Sequence, residues 1–173
     1  MKKFLLPLLF IFIFIFESIF VQSLPAEVFH GERILVPHFL IIAILFLTLY
    51  GDSKQGILYG LSFGLLFDVV YTEVLGIYLF LFPLIAYICA KIMRILQTNI
   101  VVVSIISLLG VALLELGVYE MNFLINKTDM SFSFYAQYRL LPTLILNLTF
   151  IILFSYPLKR LSEKYVAYLN KEK

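Results

Sequence analysis

Three acidic side chains lie inside long apolar stretches of this sequence: Glu17, Asp68 and Glu115. If these stretches cross a membrane, each acid costs about 2.5–3.5 kcal/mol at a helix centre and is expected to face protein or water. Arg139, with Asn147 on the same helical stripe, offers a cation and an amide as partners. The set could pair internally and fix a helix bundle, form a partner-binding surface, or line a path for a small substrate. The sequence leaves these three alternatives open.

The sequence lacks the residues for most enzyme and metal chemistry. One cysteine, Cys89, and two histidines are too few soft ligands for an ordinary zinc site. No phosphate-binding glycine loop, dinucleotide-binding glycine motif or zinc-protease motif occurs. His38 lies near the beginning of the second apolar run and is interpreted as a residue at the membrane interface rather than a catalyst. We therefore expect no catalytic residue, no metal, no cofactor and no nucleic-acid partner.

The composition indicates an integral membrane protein. Of the 173 residues, 62% are hydrophobic and 14% are charged, and the mean hydropathy is +1.03. Soluble domains are about 45–50% apolar and about 25% charged, so this chain cannot cover a water-soluble surface. The same hydrophobicity argues against disorder.

Six apolar runs are candidates to cross the roughly 30 Å of hydrocarbon in a bilayer, which predicts an all-α protein with six transmembrane helices. The third and fourth runs are short and only four residues separate them, so they are either two spans or one re-entrant hairpin. The first run is expected to be a retained helix rather than a cleaved signal peptide. The runs are Phe4–Val21, Ile34–Tyr50, Gly56–Val70, Leu75–Cys89, Ile100–Tyr119 and Tyr138–Tyr156.

Lysine and arginine are distributed unevenly between the two sides that these spans define. With the N-terminus inside, ten lie in inner segments and three in outer segments, a bias that predicts both termini on the cytoplasmic side. Counted at about 1.5 Å per residue, the three acids then fall in the outer part of the bilayer, near the start of the sixth run. We therefore predict one outer polar cluster formed by Glu17, Asp68, Glu115, Arg139 and Asn147.

Glycines recur every four residues in the third run, at Gly56, Gly60 and Gly64, and Asp68 follows at the same spacing. Such positions advance by about 40° around a helix and share one face. Small residues on one face let a neighbouring backbone approach closely. We predict that Gly60 and Gly64 pack against another helix of this chain, with Asp68 opening into the outer polar cluster.

The segment 157–173 follows the predicted transmembrane domain, 1–156, as a basic tail. Apolar residues recur in it at helical spacing, with Lys159, Arg160 and Lys164 between them. This pattern is typical of a helix lying on the anionic inner leaflet. A solvated tail that only sets the topology is an equally good interpretation.

Five short segments, spread over nearly the whole chain, carry a family resemblance. They are Lys2-Lys3-Phe4 with Pro7 and Glu17-Ser18; Leu35-Val36-Pro37-His38-Phe39-Leu40; Tyr59-Gly60, Phe63-Gly64 and Asp68 with Leu75-Gly76; Leu113-Leu114-Glu115; and Arg139-Leu140-Leu141-Pro142-Thr143 with Asn147. In this order and spacing they resemble the rod shape-determining protein MreD family. The glycine–aspartate helix followed by a Leu-Gly turn is the most specific of them.

The resemblance implies a non-catalytic membrane scaffold of the machinery that synthesises lateral cell-wall peptidoglycan in the bacterial cytoplasmic membrane. The partners it implies are an MreC-like protein, the MreB filament, the RodA glycosyltransferase and a class B penicillin-binding protein, besides membrane lipids. The family fold is similar to the substrate-binding component of energy-coupling-factor transporters. A vitamin-type transporter component is therefore the alternative function, although similarity of fold does not establish function.

Overall fold

The computed structural model of the chain describes residues 5–23, 33–72 and 74–171. Phe4, which begins the first predicted run, and Lys173, which ends the predicted tail, lie outside these residues. Every regular element within the described ranges is helical, which confirms the all-α class. The elements are α1 (Leu5–Ser23), α2 (Phe39–Tyr50), α3 (Ser53–Tyr71), α4 (Ile77–Met93), α5 (Ile100–Leu124), α6 (Phe132–Tyr135), a π-helical turn (Ala136–Leu140) and α7 (Leu141–Lys171).

The helices differ from the predicted runs mainly at their ends. The second run was expected to be helical from Ile34, but residues 33–38 are non-helical and α2 begins at Phe39. Pro37 explains the difference, because proline disfavours helical backbone in the residue before it. The last helix also continues through Pro157 without a break, so no change of secondary structure separates the predicted tail from the helix before it.

By length and composition, three helical segments in the described ranges can cross a membrane: Leu6–Ser23, Ile100–Leu124 and the continuous stretch Phe132–Tyr168. Helices α2 and α4 are apolar but shorter, at 12 and 17 residues. Helix α3 has 19 residues and is less apolar because lysine, glutamine and glycines occupy its first turns. The count of six spans and the inside–outside orientation stay predictions.

Helix α2 is the centre of the bundle. Ten consecutive residues, from Phe39 to Thr48, are buried, and α2 contacts α1, α3, α4, α5 and α7. A helix that is apolar on all sides must be enclosed by others. Both ends of such a helix carry backbone groups without partners inside the helix, so its N-terminus needs polar groups from its neighbours.

The glycines of α3 mark its closest contacts within the chain. A Cβ at Gly64 would lie 2.5 Å from the backbone oxygen of Tyr78, and one at Gly60 would lie 3.2 Å from the backbone nitrogen of Pro83. Both contacts are with α4, whereas a Cβ at Gly56 would collide with Thr48 of α2. The structure thus places Gly60 and Gly64 against a helix of the same chain, which forms an antiparallel hairpin with α3.

Candidate functional site

Glu115 is the centre of a buried polar network. Its carboxylate accepts a hydrogen bond from the Tyr135 hydroxyl at 2.7 Å and from Arg139 Nε at 3.0 Å. His38 Nε2 lies 2.6 Å from its other oxygen. Glu115 is fully buried and His38 is 1% exposed, so the ion pair with Arg139 provides the charge compensation that a buried carboxylate needs.

His38 occupies a different environment from the one predicted for it. We expected an interfacial side chain, but His38 is enclosed at the start of α2 and bound to Glu115. The reason is that the chain runs in a non-helical conformation before Phe39 and turns into the bundle there. No group of three metal-ligating side chains occurs among the described residues.

Arg139 reaches Glu115 from the π-helical turn. A π-helix has wider turns than an α-helix and commonly appears as a single turn at functional sites. Here the Tyr138 carbonyl accepts a hydrogen bond from the backbone N–H of Ile34 at 2.9 Å. The turn therefore connects the non-helical segment 33–38 to the beginning of α7.

Two polar residues of α7 hold the same segment further along. Val36 N–H donates to the Thr143 hydroxyl at 3.1 Å, and the Asn147 side chain donates to the Val36 carbonyl at 2.9 Å. The Asn147 oxygen accepts from the backbone N–H of His38 at 2.8 Å. Non-helical backbone at membrane depth is tolerated only where protein or water satisfies it, and these bonds meet that requirement.

Glu17, in α1, binds the first turn of α2. Its carboxylate accepts a hydrogen bond from Leu40 N–H at 2.8 Å, and the side chain is 4% exposed. Helix N-termini carry free N–H groups and a partial positive charge, which favour a carboxylate. Glu17, Asn147 and Glu115 thus converge on residues 38–40 from three different helices.

The carboxylate of Asp68 makes its hydrogen bonds to the start of α4 rather than to Arg139 or Asn147 of the predicted cluster. Asp68 is fully buried, and its carboxylate accepts from the backbone N–H groups of Gly76, Tyr78 and Leu79 at 2.9, 3.0 and 2.9 Å. It therefore caps the N-terminus of α4. The cap forms because Gly76 has φ +114°, a left-handed conformation that glycine adopts readily and that starts the helix there.

Of the five residues predicted to form one cluster, the structure joins Glu115 to Arg139 directly and brings Asn147 and Glu17 to the same helix start. Asp68 binds the start of α4, where Tyr78 interacts electrostatically with Asp68 as well as with Glu115, Arg139 and Glu17. Tyr135 was missed because it precedes the predicted sixth run. Pro37 was the available signal for the position of His38, because proline disfavours helix in the residue before it and so indicates that the helix starts close to His38.

The predicted basic residues lie at the opposite end of α7 from Arg139. Lys159 Nζ is 3.9 Å from Glu163 Oε1 and 5.2 Å from the centre of the Tyr50 ring. Arg160 lies over Tyr156 at 5.4 Å, and Lys164 is exposed. The Lys159–Tyr50 contact connects α7 to the end of α2, whereas the other two contacts lie within α7.

The fold and the polar network define an all-helical membrane protein in which buried carboxylates hold the starts of internal helices. The model of the rod shape-determining protein MreD family matches residues 2–165. The chain therefore belongs to this family, as its sequence segments predicted.

Two relatives illustrate the family match. The chain is 35% identical over 159 residues to the rod shape-determining protein MreD of Bacillus subtilis (strain 168), covering 92% of each chain. It is 30% identical over 122 residues to the cell shape-determining protein MreD of Streptococcus pneumoniae (strain ATCC BAA-255 / R6), covering 70% of this chain and 74% of the relative. No solved structure matches the chain significantly.

Proposed function

We propose that the chain is a non-catalytic, multi-pass scaffold of the bacterial cytoplasmic membrane that helps to maintain rod cell shape as part of the machinery for lateral peptidoglycan synthesis. Membership of the MreD family and the names of the two relatives support the shape-determining role. The proposal includes six spans with both termini inside, supported by the ten-to-three distribution of lysine and arginine. It also includes a fold like that of the substrate-binding component of energy-coupling-factor transporters.

The observation that carries the scaffold proposal is the use of the buried acids. The carboxylates of Glu17, Asp68 and Glu115 accept hydrogen bonds from backbone or side-chain groups of the same chain. A transporter component would use such groups to bind a polar substrate. In this protein they fix the starts of two internal helices, which gives a rigid bundle for other proteins to bind.

Two surfaces are suited to the expected partners. On the outer side, Arg139 is 28% exposed although its partner Glu115 is buried, so part of the guanidinium remains available to an MreC-like protein. On the inner side, Lys159, Arg160 and Lys164 form a basic end of α7 suited to the MreB filament and the cytoplasmic parts of the synthesis machinery. RodA and the class B penicillin-binding protein are proposed to bind the lipid-facing helices.

Complementation in a rod-shaped host tests the proposal. The chain is expressed in Bacillus subtilis depleted of its own relative, and cell width is measured. We expect the rod shape to be restored, and we expect wall-synthesis proteins to co-purify with the tagged chain from cross-linked membranes. Round cells, despite normal membrane levels of the chain, would contradict the shape function. Tight binding of a defined metabolite by the purified chain would favour the transporter alternative.

A further inference from the structure

An open groove lies between α1 and the inner end of α7. Its volume is about 1160 Å³, slightly above the range of about 300–1,000 Å³ that is usual for small-molecule pockets. The part of α7 that lines the groove, from Leu161 to Tyr168, exists as helix because α7 continues past Pro157 instead of ending there. The groove is distinct from the Glu115 network, and none of the residues lining it belongs to that network.

The two walls of the groove differ in polarity. The wall from α1 is entirely apolar and includes Leu8 and Phe12, each 65% exposed. The wall from α7 carries Lys164 and Tyr165 beside Ala167. Among the described residues, Glu163 pairs with Lys159, whereas Lys164 has no ion-pair partner.

This polarity fits an amphiphile with an anionic head. Hydrocarbon chains bury apolar surface against α1, while the Lys164 ammonium, which has no ion-pair partner among the described residues, offers hydrogen-bond donors to a phosphate. Lysines beside a membrane attract anionic headgroups of the cytoplasmic leaflet, each contributing about fivefold in affinity. A purely apolar partner helix fits less well, because it would bury the unpaired charge of Lys164.

We propose that this groove binds an anionic phospholipid, with its acyl chains along α1 and its phosphate at Lys164. Assignment of the lipid to the inner leaflet rests on the proposed orientation of the chain, but binding itself does not. The lipid fills the space between two helices and thereby fixes the end of α7. Lipid binding would thus hold the end of α7 in place through Lys164 and leave Lys159 and Arg160 of the basic surface for the cytoplasmic partners of the scaffold proposal.

Binding is measured on the full chain in detergent, by native mass spectrometry and thermal unfolding with added phosphatidylglycerol. Phosphatidylcholine with the same acyl chains and inorganic phosphate serve as comparison ligands. The variants are Lys164→Gln, its charge-retaining counterpart Lys164→Arg, and Ala167→Trp, which fills the groove without removing charge. Lys91→Gln is the matched control, because Lys91 is exposed at the end of α4 and does not line the groove.

We expect phosphatidylglycerol to bind and to raise the unfolding temperature, with about fivefold weaker binding in Lys164→Gln and a similar or larger loss in Ala167→Trp. Lys164→Arg and Lys91→Gln should bind as the unsubstituted chain does. Equal binding of phosphatidylcholine, an equal effect of phosphate alone, or an equal loss in Lys91→Gln would overturn the proposal. Full binding of phosphatidylglycerol by Ala167→Trp would also overturn the proposal. The same holds if the chain is a dimer in detergent and Ala167→Trp dissociates it, because a second copy would then occupy the groove. Failure here would leave complementation of cell shape unaffected.

Discussion

At the scale of single residues, two of the buried acids bind the N-termini of internal helices. Glu17 and Asp68 accept backbone N–H groups from the first turns of α2 and α4. In water such groups would be solvated, but in a membrane interior each unsatisfied one costs several kcal/mol. A carboxylate on a neighbouring helix therefore stabilises both the helix start and the contact between the two helices.

The first prediction concerns the Glu115–Arg139 ion pair. Arg139→Ala should lower the free energy of unfolding by about 3–5 kcal/mol, because it leaves a buried carboxylate without its cation. Thermal unfolding in detergent measures the loss. Adding Glu115→Gln to Arg139→Ala should recover part of it, since the uncompensated charge is then removed.

Arg160→Ala is the control for the first prediction. Arg160 lies over the exposed Tyr156 ring and has no acidic partner among the described residues, so its removal should change stability by well under 1 kcal/mol. Equal stability of Arg139→Ala and Arg160→Ala would show that the ion pair does not hold the bundle together.

The second prediction concerns Asp68. Asp68→Asn should destabilise the protein by roughly 1.5–3 kcal/mol, the scale of a hydrogen bond to a charged group. The three backbone N–H donors are shared between both carboxylate oxygens, and an amide would present one acceptor and one NH₂ donor to them.

Denaturation of Asp68→Asn and Asp52→Asn in parallel provides the comparison. Asp52 also caps a helix, through Lys54 N–H at 3.1 Å, but its bond is exposed and asparagine is an equally good cap there. We expect Asp52→Asn to remain within about 0.5 kcal/mol of the unsubstituted chain. A stable Asp68→Asn that fails to support rod growth would instead restore the partner-binding interpretation.

At the scale of helices, the α3–α4 hairpin depends on the space that its glycines leave. A glycine inside a helix lowers the helix stability by about 1 kcal/mol relative to alanine. Its presence at position 64 is therefore explained only if a larger side chain does not fit there. The 2.5 Å distance from a Cβ to the Tyr78 carbonyl gives the reason, because backbone on the facing helix cannot move aside as a side chain can.

The third prediction compares two glycines. Gly64→Ala should destabilise the protein by about 1–3 kcal/mol, the usual cost of overpacking, despite the gain in helix propensity. Gly117→Ala should be neutral or stabilising, since its Cβ would meet only the flexible end of Leu81. Thermal unfolding of both variants tests this, and an equally mild effect of the two would mean that α3 and α4 separate easily.

Some of these contacts follow from sequence spacing and others do not. Glycines at intervals of four show a packing face directly, because the helix period is known and glycine has no side chain. The partners of Glu17 and Asp68 were missed because they are backbone N–H groups of Leu40 and Tyr78, which any residue type supplies. Recognising them requires knowing where α2 and α4 begin and which helices face those ends.

The π-helical turn had no sequence signal of its own. The run Tyr138–Tyr156 reads as ordinary apolar helix, and the wider turn arises from tertiary contacts of Tyr138 and Arg139. The non-helical segment before α2 was indicated by Pro37, but the apolar run around it was read as helix. Composition and charge distribution, in contrast, sufficed for the membrane class, because both are properties of the whole chain.

At the scale of the whole molecule, the orientation and the number of spans determine which surface meets which partner. Reporter fusions at Lys54, Arg94 and Lys173 should report the cytoplasm, and fusions at Glu32 and Thr128 the outside, because positively charged segments remain inside. A cytoplasmic signal at Thr128 would contradict the six-span arrangement and move the Arg139 surface to the inner side.

The turn between α3 and α4 distinguishes two full spans from a re-entrant hairpin. Helix α3 has 19 residues and a length of about 28 Å at 1.5 Å per residue, close to the thickness of the hydrocarbon layer. We therefore predict that Val74→Cys reacts from outside with a membrane-impermeant maleimide in intact cells stripped of wall.

Cys89, the only native cysteine, is 1% exposed, so the unsubstituted chain should give no signal, and Lys54→Cys should react only after permeabilisation. Protection of Val74→Cys from both sides, with normal folding, would show a hairpin that ends within the membrane and would reduce the number of complete spans to four.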